Sequence, residues 1–509
     1  MTPDLVIGID SSTSASKAIA WDRQGRAVAE GRASIALSNP QPGYFEQDPA
    51  EWWSSTAAAL SQLTEKIDPA RIAALAISNQ RETFGLFRED GSALRPGTVW
   101  LDVRAKAQLE RLCAGFGAAR VHDISGKPAD VTPCLCRMIW HRETEPKLFA
   151  ETRRIAEVHG YLVYRLTGDW ATSTASACPT GALDMRRRAW SSDLLAAAGI
   201  DPALMPRLVE PGAEIGAVSA AAAAATGLKA GTPVIAGGGD GQCAGTGAGV
   251  SAAEPGRAYV NLGTAVVSGS FGRGYAHDPA FRTMIAMADE GYIYETVLRS
   301  GTFLVEWLTR EVLRCEPAGQ KALIAALEVE AAQSPIGAHG LVMVPYWQGV
   351  MTPHWDPVAR GIVVGLSGST KRGDIYRALL ESIALEQANS SALAERASGV
   401  PIENYVAIGG GAASNLWAQI LADATGRPVH RSDTVEASSL GAAIAAAKGA
   451  GWYRSFADGV AAMAGKPVKR FDPDSARHAR YRVLRDLQAE LWPTLAAWTH
   501  KMADFVEQA

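Results

Sequence analysis

The chain has 509 residues, 47% of them hydrophobic and 20% charged, with a formal net charge of −4. That length exceeds a single core and predicts two or more domains, while the mild acidity and lack of a basic stripe exclude nucleic-acid binding. Six cysteines are too few for a disulfide scaffold. The small-residue run Ala220–Ala225 is too short to span a bilayer, and Met1–Ile9 lacks the pattern of a secretion signal, so a reduced, cytoplasmic protein is expected.

Val6–Ile9 and Ala18–Trp21 read as short strands, with Ser11–Ser16 turning between them. Asp10 ends the first strand and faces only hydroxyls and small residues. It is either a satisfied turn aspartate or a carboxylate that holds Mg²⁺ through water beside a phosphate-gripping hairpin. Lys17, the one cation of the hairpin, is either a phosphate counter-charge or a solvated strand residue. Asp48 as cap, Pro49 at the first helical position and Glu51 as the closing carboxylate of a capping box predict a helix to about Ile67, with Trp52 and Trp53 in the core. Ile72–Ser78 reads as a buried strand that delivers "NQRET" (Asn79–Thr83) at its C-terminal end, where α/β sheets hold ligands.

Within that cluster Gln80, Arg81 and Glu82, together with Trp100 and Asp102 of "VWLD", offer donors, acceptors and a flat apolar wall for vicinal hydroxyls. A surface ion pair is the plainer role for Arg81. Cys134 and Cys136 near His141 lack the second ligand pair a zinc site needs and are expected to be buried thiols. "PVIAGGGDGQCAGTGAGV" (Pro233–Val250) is a strand running into glycines around Asp240. This residue is either the N-terminal residue of a tight strand–helix turn or a carboxylate placed to take an alcohol proton.

Ala258–Phe271 repeats the form of the opening hairpin, with Gly263-Thr264 in its turn, and predicts two related domains joined near residue 248. Later elements are a helix over Thr302–Leu313, a strand over Gly340–Trp347, a long helix over Ile375–Ala397, the strand of "NYVAIGGG" and a helix from about Ser414. Gly409–Gly411 admit a flat ligand such as adenine. A dinucleotide fold would instead place its spaced glycines in a first βαβ unit.

Together these segments resemble the FGGY carbohydrate kinases, the family of glycerol kinase and xylulokinase, over essentially the whole chain. The most specific match is "GIVVGLSGSTKRGDIYRALLESIALE" (Gly361–Glu386), flanked by "PYWQGVMTPHWDPVARG" and "EASSLGAAIAAAKGAG". The resemblance implies an α/β fold of two actin-like (ribonuclease H-like) domains around a central ATP/substrate cleft. Residues 1–248 would carry the sugar site, the first phosphate hairpin and the catalytic base, and residues 249–509 the second hairpin and the adenosine site. It implies ATP and Mg²⁺ as cofactors and a small sugar or polyol as substrate, with a homodimer as the default assembly. Asp240 falls on the catalytic base, and Asp10 and Asp240 on the metal-facing carboxylates. Thr13, Ser14, Lys17, Gly263, Thr264, Gly301, Gly410, Gly411, Ala412 and Asn415 fall on nucleotide-binding positions. Gln80, Arg81, Glu82, Trp100, Asp102, Asp240 and Gln242 fall on the substrate side.

The chain departs from the family at several of these places. Ser12 stands where the first turn has glycine. Gly241 replaces the glutamine of glycerol kinase, with Gln242 one step on. Thr132 stands near its substrate tyrosine, Arg137 replaces a lysine, and Arg81-Glu82 replaces the Met-His of xylulokinases. The competing function is an actin-like ATPase that works on a protein partner, which would not need the NQRET–Trp100–Asp240 set.

Overall fold

The computed structural model describes residues 3–507. Leu5–Ser11 carries no polar side chain before Asp10 and is buried on both faces, the mark of a central strand. It pairs antiparallel with Ala15–Trp21 on one side and parallel with Ile72–Asn79 on the other. The full sheet runs in the order Glu214–Ala217, Pro233–Gly239, Ile72–Asn79, Leu5–Ser11, Ala15–Trp21, Ala27–Ser34.

The second half of the chain builds a sheet by the same moves, in the order Arg282–Ile285, Tyr292–Leu298, Val266–Gly272, Arg257–Leu262, Asn404–Ile408, Val429–Ser432, Pro467–Phe471. On one side of Leu5–Ser11 the first sheet has two antiparallel strands, and on the corresponding side of Arg257–Leu262 the second has three. On the other side come two parallel strands and an antiparallel edge strand. The likeness of the two hairpins therefore extends to the sheets, apart from the added edge strand Arg282–Ile285 of the second. Their turns even have the same length, Ser12–Ser14 and Gly263–Ala265.

The helix Ala437–Gly449 belongs to the second half yet packs on the first sheet and against the helix Asp240–Gly247. Contact is close enough that a Cβ on Gly8 would lie 1.9 Å from the Ser439 carbonyl oxygen. Ser439 Oγ donates to the Gly8 carbonyl at 2.9 Å and accepts from Trp21 Nε1 at 3.0 Å. A smaller sheet, Ser38–Gln41, Tyr44–Gln47, Gly97–Thr98, Phe84–Phe87 and Arg154–Glu157, carries Trp100 and Asp102 beyond one of its strands. Among the described residues no helix is long and apolar enough to cross a membrane.

Several elements differ from the sequence expectation. The first helix, Pro49–Thr64, stops short of Ile67. Asp48 caps it through the Ala50 N–H, but the Glu51 carboxylate accepts from the Ala36 N–H at 2.8 Å, so the capping box is not closed. The strand expected over Gly340–Trp347 contracts to Val342–Val344, because its partner offers only Ile362–Val364. The helix at Thr302 is α-helical to Trp307 and continues as a wider π turn, Leu308–Val312. The long helix spans Arg372–Ser398.

Candidate functional site

Three adjacent parallel strands of the first sheet end at one edge. In their register Asp10 stands beside Ser78, Ser78 beside Gly238 and Asn79 beside Gly239. Asp10, the NQRET segment and Asp240 therefore leave the sheet together. Two strand spacings, about 10 Å, separate the outer pair. Ser78 Oγ donates to Asp10 at 3.0 Å. Burial first, and then the negative charge of Asp240, push the Asp10 carboxyl up from 3.8 to about 7. Lys17, its cross-strand neighbour, is paired with Glu436 and offsets only part of that penalty, and a divalent cation fits the remaining deficit.

Asp240 heads the helix Asp240–Gly247 and is fixed from two directions. Arg81 Nε lies 2.9 Å from its Oδ1, which also accepts the Gly241 N–H at 2.7 Å. Its side chain stays 41% exposed, whereas Arg81 is 7% exposed. Arg81 is no surface residue. Its Nη1 donates to both oxygens of the fully buried Glu295 at 3.0 and 2.9 Å. Glu295 also accepts from Arg282 Nε at 2.6 Å and Tyr259 Oη at 2.8 Å, and Arg282 Nη1 reaches Glu82 at 2.9 Å. Burial alone would raise the Glu295 carboxyl, but Arg81 and Arg282 hold it at about 2.

Glu82 and Arg81 come from the first half of the chain, and Tyr259, Arg282 and Glu295 from the second, so the network joins the two sheets. Sequence reasoning missed the second set. A signal exists for one member: Glu295 sits in the middle of Tyr292–Leu298, which is buried throughout, and an acidic residue in such a strand calls for cationic partners.

Among the residues expected to face the sugar, the Trp100 indole donates to Thr13 Oγ1 at 3.0 Å, so the expected apolar wall touches the first hairpin. Arg137 is completely buried and donates to the carbonyls of Glu82 at 2.6 Å and of Val99 and Thr132 at 2.5 Å, fixing three segments at once. Gln80 bonds Gln47 at 2.8 Å, and Asp102 accepts from the Phe45 N–H and from Arg104, so both spend their polar atoms on holding loops. Gln242 donates to the Ala175 carbonyl at 2.7 Å with its oxygen 3.4 Å from Arg81 Nη1. Lys17 is paired with Glu436 of the second half at 2.5 Å. Cys134 and Cys136 are buried thiols, and His141 bonds Glu145 at 2.8 Å.

The second sheet brings its own group together. The Gly301 and Thr302 N–H groups donate to the Thr264 and Gly263 carbonyls at 2.8 Å, which seats Gly301 on the second turn. Gly409 follows its strand with φ +81°, where side chains are strained, and a Cβ there would lie 2.3 Å from Asn261 Oδ1. Gly410 faces open space, while Gly411 and Ala412 are buried in the turn Gly410–Ala413. Asn415 is exposed and accepts from Arg431 and Lys469 at 3.0 Å.

Family models give this arrangement a context. Residues 5–247 match the N-terminal domain, and residues 258–450 the C-terminal domain, of the FGGY family of carbohydrate kinases. The chain is 31% identical to a xylulose kinase of Bacillus subtilis, over 96% of each chain. It is also 31% identical to a glycerol kinase of Aromatoleum aromaticum, over 93% of this chain and 95% of that one. Its fold superposes on the crystal structure of xylulose kinase from Rhodospirillum rubrum with a TM-score of 0.89 at 28% identity, covering 97% of this chain and 100% of that one.

Proposed function

The chain belongs to the FGGY family of carbohydrate kinases, with two actin-like domains about a central cleft, and from that premise we propose that it phosphorylates one hydroxyl of a ketopentose such as xylulose or of a C3–C5 polyol such as glycerol or erythritol. Asp240 is the general base. As the substrate oxygen bonds to the γ-phosphorus of ATP, its proton passes to the Asp240 carboxylate and the bond from phosphorus to the ADP oxygen breaks. The observation that carries this reading is the aim of Asp240: it is the exposed end of an otherwise buried ion network, held by Arg81 at the edge where Asp10 also emerges.

Asp10, with Asp240 beside it, would hold Mg²⁺, which when bound supplies neutralising charge for the phosphates. The Thr13–Ser14 and Gly263–Thr264 turns, with Gly301, would bind the phosphates, and Gly410, Gly411, Ala412 and Asn415 would receive the adenosine. Trp100, Arg81, Glu82 and Gln242 border the substrate. Arg137, which holds the Glu82, Val99 and Thr132 backbones, keeps that border in shape. Division of labour follows the two halves: sugar, first turn and base in residues 1–248, second turn and adenosine in residues 249–509.

ADP release measured across glycerol, erythritol, pentuloses, pentitols and linear signalling diketones tests the reading, with acceptor-dependent turnover on one compound expected. Asp240→Asn is expected to retain ATP binding and to lower turnover by at least about a hundredfold. Near-normal turnover in that variant removes Asp240 from the chemistry. ADP release indifferent to every acceptor returns the reading of a protein-directed ATPase.

A further inference from the structure

Lys127 is a buried charge without a partner. It follows the helix Ala118–Ser125, where the Gly126 carbonyl accepts from the Thr283 N–H at 2.8 Å and ties this loop to the second sheet. The residue is 3% exposed. Its ammonium donates to Met185 Sδ at 3.4 Å, and among the described residues no carboxylate pairs with it. A thioether is a weak acceptor, so a buried ammonium left with one is costly to keep. Burial draws its pKa down from 10.5 to about 8; Cys178 and Glu82 oppose that fall, and Arg282 and Arg81 add to it. These neighbours locate the ammonium. Arg81 and Glu82 belong to the substrate border, and Cys178 Sγ accepts from the Gln242 amide at 3.6 Å.

Glu82 is under-used in the opposite sense. Arg282 Nη1 takes its Oε1 at 2.9 Å, and among the described residues its Oε2 has no hydrogen-bond partner. Burial raises its carboxyl even with Arg282 and Arg81 beside it. Its backbone is held at φ +52°, a strained conformation for a residue with a side chain, and such strain gathers at ligand sites. A group that can only donate and a group that can only accept thus stand on one border. Two adjoining oxygens of a sugar or polyol satisfy both, and a hydroxy ketone and a vicinal diol share that pair. Resting on the kinase reading above, we propose that Lys127 is a further acceptor-binding residue, donating to one oxygen of the acceptor while Glu82 accepts from the adjoining hydroxyl.

Steady-state kinetics of the full chain and of Lys127→Met on xylulose, its pentitol xylitol and glycerol test this. The substitution keeps the side chain's length and removes its charge. It is expected to melt no lower than wild type, because an unpaired buried charge adds no stability to the protein alone. The KM for the acceptor is expected to rise about ten- to a hundredfold, and the KM for ATP to stay within about twofold. In wild type, kcat/KM for the acceptor is expected to fall above about pH 8 as the ammonium loses its proton, and Lys127→Met is expected to lack that fall. A loss confined to xylulose puts the carbonyl oxygen on Lys127, and a loss shared with xylitol or glycerol puts a hydroxyl there. A variant that melts well below wild type, an unchanged acceptor KM or a persisting alkaline fall overturns this assignment and leaves the kinase reading standing. ADP release that ignores every acceptor in wild type overturns the kinase reading and this assignment with it.

Discussion

Asp10 shows how one burial decision shapes stability and would shape the binding of the proposed cation. Its carboxyl stands at about 7 in the fold against an ordinary 3.8. Between those values the folded protein holds a proton that the unfolded chain has lost, so Asp10 makes stability fall as pH rises from about 4 to about 7. Asp10→Asn removes the charged state. The variant is expected to melt at higher temperature than wild type above pH 7 and to match it below pH 4. The Mg²⁺ proposed for this carboxylate would have to displace the same proton, so its apparent affinity for the wild type is expected to drop about tenfold per pH unit below 7. Its stabilising effect should vanish in the variant. Melting curves from pH 4 to 9, with and without Mg²⁺, check all three expectations. An unchanged pH profile in Asp10→Asn would place the penalty elsewhere.

At the scale of elements, two glycines separate packing from binding. Gly8 is pressed against the helix Ala437–Gly449 with backbone on both sides, so neither neighbour can yield by turning a side chain. Gly8→Ala is expected to cost about 1–3 kcal/mol or more. A Cβ on Gly410 meets nothing within 4 Å. Gly410→Ala is expected to leave the denaturation midpoint in place and to weaken ATP binding, since the added methyl occupies the space a purine would cross. Denaturant titration and nucleotide titration of both variants separate the two effects. This contrast also marks what the sequence could convey. Apolar runs around short polar turns announced both hairpins, and the long helix expected over Ile375–Ala397 forms over Arg372–Ser398. The Gly340–Trp347 strand was overextended because its apolar run outlasts its partner. Glu51 pairs with Ala36 because tertiary contact overrode the local cap. Lys17 finds Glu436 across 419 residues and Arg81 finds Glu295 across 214, and only the sheet order puts such partners together.

For the whole molecule, the question is what ties the two halves. One core cluster already spans them, holding Val6 and Ile19 with Ile408 and Ile444. Two kinds of ion pair are added. Lys17 and Glu436 are each about a quarter exposed, at 26% and 27%, and such a pair contributes about 0–1 kcal/mol. Glu295 is wholly buried with Arg81 and Arg282, and removing one member of a buried set costs about 3–5 kcal/mol because the remaining charges lose their partner. Glu295→Gln is therefore expected to lower stability at pH 7 several times more than Lys17→Met. The carboxyl of Glu295 stands at about 2 against an ordinary 4.5, so its contribution is complete above about pH 4.5 and is lost as pH falls toward 2. Denaturation midpoints of Glu295→Gln and wild type should thus converge in acid. Arg81 also holds Asp240, so Glu295→Gln is expected to lower kcat with little change in the KM for ATP. Denaturation at pH 7 and pH 3, read beside steady-state kinetics, decides the matter. Equal losses for the two variants, or a Glu295→Gln deficit that persists in acid, would mean that the apolar core alone joins the halves.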